Sequence, residues 1–156
     1  PSVETVLHAL LYEYAEYNFI AHTHPVACNS LLCSVNAKEA MLGRLCPDHI
    51  VVMGRASVFV PYVDPGLVLA REVRTRVREF IQTENELPKA VAMENHGFFA
   101  LGTSAKAATN ITDMAEKMAH VLIGTYSVGG PKFMSERDID RIATRPDEAY
   151  RQKAIG

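Results

Sequence analysis

Segments with the hydrophobic period of an α-helix alternate with short apolar runs along most of this 156-residue chain. The predicted helices are residues 3–17, 26–45 with a break near Asn36, the stretch after the turn at 64–66, 104–127, and a short one opened by the capping pattern from Ser135 to Asp138. In the third of these helices the apolar side chains recur every three or four residues and form one stripe: Leu69, Val73, Val77, Phe80 and Ile81.

The runs between these helices are rich in β-branched and aromatic residues. The predicted strands are 19–24, 50–53, 57–60, 89–93 and 98–101. Alternation of helices with short strands predicts an α/β fold, and the length suits one layered domain with a real core. Within that domain we separate a main body, residues 1–128, from a more polar helical tail, residues 129–156.

The charge balance argues against two classes of partner. The formal net charge is -2 at pH 7, so electrostatics favour neither nucleic acid nor an anionic membrane. One helix carries a basic run, residues 71–78, but the interleaved Glu72 and Glu79 indicate a solvated helix or a subunit contact. Apolar runs stay well short of the roughly 20 residues that cross a bilayer.

The cysteines indicate the redox environment. Cys28, Cys33 and Cys46 are an odd set without a CxxC pair, which is not typical of a disulfide framework. We therefore expect a reducing, cytoplasmic setting. Each cysteine is expected to be a small buried hydrophobe rather than a metal ligand.

His22-Thr23-His24 is the sharpest local signal for chemistry. On a strand, positions i and i+2 point to the same face, so both imidazoles can reach one ion. Neutral imidazole suits Zn²⁺, which takes about four ligands. The plain alternative is two polar residues at a strand end. Cupin and metallo-β-lactamase sites need a carboxylate shortly after the pair, where Pro25 to Asn29 stand, and an amidohydrolase barrel needs a longer chain.

Two further residues are candidates for the same site. His96 lies in a predicted tight turn between two apolar strands, where Gly97 would let the backbone approach closely. The alternative is a hydrogen-bonded loop histidine. Glu4 lies in the first turn of the first helix, off its apolar stripe, where the helix dipole alone would also favour a carboxylate.

Four motifs resemble those of the class II aldolase/adducin family, and they occur along the chain in the order found in that family. They are Pro1-Ser2-Val3-Glu4 with His8 one turn on, the HxH strand from Ala21 to Pro25, Pro61-Tyr62 followed by Gly66, and Asn95-His96-Gly97 followed by Gly102. The ordered set covers roughly residues 1–127. The tail at 145–151 resembles rhamnulose-aldolase-like members, including some fused to a short-chain dehydrogenase.

The resemblance implies a three-layer α/β/α fold and a cyclic homotetramer with active sites near subunit boundaries. It implies that His22, His24 and His96 bind zinc, or another divalent metal such as Mn²⁺ or Co²⁺. Glu4 would be the catalytic carboxylate that exchanges a proton with the substrate. His8 matches a family histidine that is not a ligand, and we expect it to be structural.

The implied reaction is the reversible cleavage of a ketose 1-phosphate, of the fuculose or rhamnulose type, to dihydroxyacetone phosphate and an aldehyde. In phosphate-binding members an upstream segment supplies part of the phosphate cradle, and this sequence lacks it. Val3 also replaces a serine of the common motif, which leaves Ser2 as the expected substrate contact. We therefore expect a domain without its N-terminal segment that binds metal but turns substrate over weakly.

Two other functions remain open from the sequence. The same metal site could serve epimerisation or dehydration of a sugar phosphate, because distal acid and base residues distinguish these reactions. An adducin-like interaction module without catalysis is the third possibility. Such modules lose the histidines, whereas all three are present here.

Overall fold

Four short strands form one mixed sheet in a computed structural model that describes residues 4–14, 16–147 and 150. The strands are β1 (Phe19–Thr23), β2 (Val58–Val60), β3 (Ala90–Met93) and β4 (Gly97–Gly102). Their order across the sheet is β1-β4-β3-β2. β4 is antiparallel to both β1 and β3, whereas β2 runs parallel to β3.

Helices connect and cover these strands. They are α1 (Thr5–Leu11), α2 (Val26–Leu32), α3 (Ala37–Leu42), α4 (Pro47–Met53), α5 (Leu67–Glu84), α6 (Ala105–Thr125) and α7 (Glu136–Ala143), with a 3₁₀ turn at Tyr126–Val128. None of them, in the part of the chain that the structure describes, is long and apolar enough to cross a membrane.

Both faces of the sheet are buried by helices. Because successive strand residues point to opposite faces, β4 contributes Phe98 to one core and Phe99 to the other. The Phe98 core includes residues of α2 and α6, whereas the Phe99 core includes residues of α1 and α5. The predicted three-layer α/β/α architecture is therefore confirmed.

The predicted strand at 50–53 is wrong, because these residues belong to α4. Pro47 occupies the first turn of α4, where its fixed φ favours a helix start. Ile50 and Val51 then pack against Ile139 and Ile142 of α7. A run of four apolar residues fits a buried strand and a buried helical turn equally well, so local pattern alone misassigned it.

The other helices follow the sequence with shifted ends. The first ends at Leu11, before the predicted residue 17, since the chain turns at Tyr12 to Tyr14. The expected break near Asn36 is confirmed, because Asn36 is the N-cap position of α3. Ser104 and Ser135 are confirmed as side-chain caps of α6 and α7.

The cysteines follow the expectation only in part. Cys28 is buried, Cys46 is partly buried, and Cys33 is exposed. The prediction of a buried hydrophobe is therefore wrong for Cys33, which lies at the C-cap of α2.

Candidate metal centre

Three histidines and one glutamate from separate segments converge beside the end of β1. His22 is on β1 and His24 follows directly after it, whereas His96 lies in the turn between β3 and β4. Glu4 occupies the N-cap position of α1. One ligand atom of each residue lies within 4.8 Å of those of the other three. The structure therefore brings together the four residues that the sequence singled out.

The distances within this cluster are short enough for one ion. Nε2 of His22 lies 3.2 Å from Nε2 of His24 and 3.3 Å from Oε1 of Glu4. The same glutamate oxygen is 3.3 Å from Nε2 of His96. Four ligand atoms at about 2.0–2.2 Å from a tetrahedral zinc ion would be roughly 3.3–3.6 Å apart. Three of the six separations are close to that spacing and the others are within 4.8 Å, so the three imidazoles and the carboxylate are near enough to share a divalent ion.

Two contacts orient the imidazole of His22. Its Nδ1 lies 3.3 Å from the carbonyl oxygen of Phe98, to which it donates if that nitrogen carries the proton. That tautomer leaves the Nε2 lone pair directed at the cluster, as in metal-binding histidines whose other nitrogen is held by a hydrogen bond. The ring of Phe99 stacks on the imidazole at 4.4 Å between centroids.

Burial and neighbouring charges set the protonation of the cluster. Burial lowers the pKa of His22, and His24 and His96 lower it further, against an opposing effect of Glu4. Burial by itself would raise the pKa of Glu4, but His22 and His96 lower it overall. Near neutral pH the cluster therefore combines a neutral imidazole at His22 with an ionised carboxylate at Glu4.

The turn that carries His96 depends on two unusual backbone positions. Asn95 has φ +52°, in the left-handed region that asparagine tolerates better than most residues. Gly97 lies against His24, because a Cβ placed on it would be 2.9 Å from Nε2 of His24 and closer still to Cδ2. The expected close backbone approach at Gly97 is therefore confirmed.

Two other residues of the first family motif, His8 and Ser2, are not among the four side chains of the cluster. His8 meets the ring of Phe99 edge-on at 5.3 Å, and its backbone N–H donates to the carbonyl oxygen of Glu4 at 3.2 Å. Ser2 lies outside the described residues, and its role as a substrate contact stays a prediction.

Sequence reasoning missed three supporting residues. Phe99 lies opposite His22 on the same face of the sheet. Their stacking could not be predicted, because it depends on the register between β1 and β4 that pairs the two residues. Asn29 and Glu116 also lie near the centre, through contacts described below. No local signal identifies Glu116, since its partner Cys28 is 88 residues away along the chain.

Comparison with known proteins identifies the family. A sequence profile described as the Class II Aldolase and Adducin N-terminal domain matches residues 1–123. The chain belongs to the class II aldolase and adducin family. All four ordered motifs lie inside the matched range, so the resemblance drawn from them is confirmed.

Individual relatives match over different lengths. The Bacillus subtilis (strain 168) protein named uncharacterized oxidoreductase YuxG is 32% identical over 136 residues, which is 85% of this chain and 17% of that protein. YgbL from Escherichia coli has the same fold, with a TM-score of 0.70 at 22% identity over 92% of this chain and 66% of its own. An L-fuculose 1-phosphate aldolase matches with a TM-score of 0.70 at 21% identity, over 92% of this chain and 62% of its own. The chain thus spans at most 66% of these two structures and about a sixth of the curated relative.

Proposed function

We propose that His22, His24 and His96 bind a zinc ion and that Glu4 is the catalytic carboxylate of a class II aldolase. The substrate is a ketose 1-phosphate of the fuculose or rhamnulose type, cleaved reversibly to dihydroxyacetone phosphate and an aldehyde. The observation that carries this proposal is the convergence of four ligand atoms, with nearest separations of 3.2–3.3 Å, in a chain of this family.

The donor set determines the chemistry that the centre can supply. A divalent ion held by these residues would supply Lewis-acid stabilisation of the negative charge that develops on substrate oxygen. The imidazoles of His22, His24 and His96 would hold such an ion without filling all of its positions. Mn²⁺ and Co²⁺ are compatible with the same ligands.

Glu4 moves the proton. Its lowered pKa keeps the carboxylate ionised near neutral pH, so it can accept a proton. The proton comes from the hydroxyl on carbon 4 as the bond between carbons 3 and 4 breaks, which yields the aldehyde. Return of that proton to carbon 3 completes dihydroxyacetone phosphate. Proton transfer by a positioned carboxylate is typically worth about 10²–10⁴-fold in rate.

The substrate phosphate requires contacts beyond the metal centre. We assign one of these phosphate contacts to the hydroxyl of Ser2, two residues before Glu4 in the sequence. Since the chain spans only part of its solved relatives, we expect firm metal binding but slow turnover from these residues alone.

We also propose a cytoplasmic homotetramer. Several of the exposed large apolar side chains fall into two groups along the chain, and such groups are typical of subunit contacts. They are Tyr62, Leu67 and Val68 around the start of α5, and Val121, Tyr126 and Val128 around the end of α6. Light scattering after size-exclusion chromatography is expected to give the mass of four chains.

Metal binding provides the first test. The purified protein is stripped with a chelator and titrated with zinc against a chromophoric competitor, and one zinc ion per chain is expected. His96→Ala should abolish stoichiometric binding, whereas Glu16→Gln, which changes an exposed carboxylate, should not alter it. Failure of the stripped protein to take up zinc would favour a non-catalytic module.

Turnover provides the second test. Zinc-loaded protein is incubated with fuculose 1-phosphate or rhamnulose 1-phosphate, and dihydroxyacetone phosphate is measured with a coupled dehydrogenase. We expect slow triose release that falls at least tenfold in Glu4→Gln, with Glu16→Gln as the matched control. Zinc-loaded protein that releases no triose from either sugar would exclude the aldolase, and conversion without cleavage would indicate epimerisation.

A further inference from the structure

Helix α2 contacts both histidine-bearing segments of the metal centre. It begins at Val26, with only Pro25 between it and His24. From its middle, Nδ2 of Asn29 donates to the carbonyl oxygen of His96 at 3.4 Å. From its last residue, the carbonyl oxygen of Leu32 accepts the N–H of Asn95 at 3.1 Å. One short helix therefore joins the exit of β1 to the turn that carries His96.

The N-terminus of α2 is held by a residue of another helix. Pro25 at the N-cap position offers no side-chain acceptor for the free N–H groups of the first turn. Glu116 of α6 replaces the cap, because its Oε1 accepts the N–H of Ala27 at 2.9 Å and its Oε2 that of Cys28 at 3.0 Å. A carboxylate bound by both oxygens at a helix N-terminus is a strong, directional contact.

Packing alone does not explain an asparagine at position 29. Its Oδ1 is buried, and no donor among the described residues reaches it. A buried acceptor without a partner disfavours folding relative to an apolar side chain of similar size. The contact in this structure that requires an asparagine is the hydrogen bond from Nδ2 of Asn29 to the His96 carbonyl oxygen.

We propose that Glu116 and Asn29 are positioning residues that fix His24 relative to His96 through α2. Neither side chain is hydrogen-bonded to a ligand atom of the cluster. Glu116 acts through the first turn of α2, and Asn29 acts through the backbone carbonyl of His96. The inference rests on the proposed metal-binding function. Its consequence is that zinc affinity depends on a carboxylate in α6 that never reaches the ion.

The test measures zinc affinity and metal-free stability separately. Zinc dissociation constants are determined by competition for wild type, Glu116→Ala, Glu116→Gln and Asn29→Ala, and unfolding of the metal-free proteins is followed in denaturant. Loss of a residue that orients metal ligands typically weakens metal binding about 10–100-fold. We expect that loss in both alanine variants and a smaller one in Glu116→Gln, which keeps one acceptor oxygen.

A matched control separates position from charge. Asp113→Asn removes an exposed carboxylate one turn earlier in α6 and should leave the zinc dissociation constant unchanged. The double variant Glu116→Ala/Asn29→Ala should weaken binding less than the product of the single effects, because both residues act through one helix. Amide exchange at Asn95 in metal-free Glu116→Gln, a variant of unchanged size, should be faster than in wild type.

The outcomes distinguish the two proposals. One result would overturn the positioning role and leave the metal centre intact. In that case wild type binds zinc, and both alanine variants have zinc dissociation constants within twofold of the wild-type value and differ from it only in lower stability. If an alanine variant fails to fold, unchanged Asn95 exchange and unchanged affinity in Glu116→Gln overturn it instead. Wild type that binds no zinc would end both proposals.

Discussion

Gly97 is the residue at which a single methyl group should disturb the metal centre most directly. An added Cβ would lie 2.9 Å from Nε2 of His24 and 3.0 Å from the carbonyl oxygen of Thr23. The imidazole of His24 would have to move away from the other ligands. We expect Gly97→Ala to weaken zinc binding at least tenfold, measured by competition with a chromophoric chelator.

Gly124 is the matched control for this substitution. It lies in α6, and a Cβ added there meets nothing within 4 Å. Gly124→Ala should leave zinc affinity unchanged and stabilise the protein by up to about 1 kcal/mol, because alanine favours the helix. Equal zinc affinities in the two alanine variants would contradict the assigned role of Gly97.

His49 makes the stability of this protein sensitive to acid. The side chain is buried in α4, and its Nδ1 lies 3.5 Å from the N–H of Leu45. Burial, with a further effect from Arg44, lowers the pKa of His49 to about 3. The unfolded chain takes up a proton near the ordinary histidine pKa of about 6.5, whereas the folded chain does not.

Stability is therefore lost as pH falls below that ordinary value, and it is unaffected by His49 at higher pH. Between pH 7 and pH 5 the linkage amounts to about 2 kcal/mol. In urea titrations of metal-free protein, His49→Asn, which offers an acceptor but does not titrate, should show a correspondingly smaller decrease. Parallel pH profiles for wild type and His49→Asn would show that His49 is not the responsible group.

Among the elements, α6 depends on a single well-formed cap. Oγ of Ser104 accepts the N–H of Ala107 at 3.0 Å, and α6 contributes seven buried residues to the core. Ser104→Ala should lower the free energy of unfolding by about 1 kcal/mol, measured in urea. Ser104→Asp retains an acceptor and should lose less. Thr109→Ala, an exposed change in the same helix, should be neutral or slightly stabilising, and a loss there equal to that of Ser104→Ala would argue against the cap.

Helices with a long periodic pattern or a recognisable capping residue could be predicted from the sequence. The type of element formed by a short apolar run could not. The stripe of α5 and the serine cap of α6 each have several concordant signals, and both helices formed as expected. The run at 50–53 became helical because its buried face packs on α7, a contact that no local pattern encodes. Tertiary packing decided the structure where the run was too short to show a period.

The same division applies to the metal centre. His22 and His24 could be paired from strand periodicity alone, since alternate residues share a face. Local context already singled out Glu4 and His96 as candidates, but the order of the family motifs was needed to place them at one site, because these residues are 92 positions apart in the chain. Phe99, Asn29 and Glu116 could not be predicted, as their contacts depend on strand register and on the packing of α6 against α2.

At the scale of the whole molecule, the centre joins the two structural halves of the fold. Glu4 belongs to the helix layer that packs on the Phe99 side, whereas α2, which holds the His96 turn, belongs to the layer on the Phe98 side. β1, the residue directly after it and the β3–β4 turn carry the three histidines between these layers. An ion held by the three histidines would therefore lie where all three layers of the domain meet, with Glu4 beside it.

Such an ion should stabilise the folded chain as a unit, because the unfolded chain does not hold His96 close to His22 and His24, which lie far from it in the sequence. At a free zinc concentration one hundred times the dissociation constant, linkage predicts a gain of about 2.7 kcal/mol. For a domain of this size that gain corresponds to a rise in Tm of roughly 5–11 °C, followed by circular dichroism with and without zinc. The rise should vanish in His96→Ala and persist in Asp113→Asn. If zinc leaves the Tm of wild type unchanged, and His96→Ala melts at that same temperature, the three histidines do not bind an ion together.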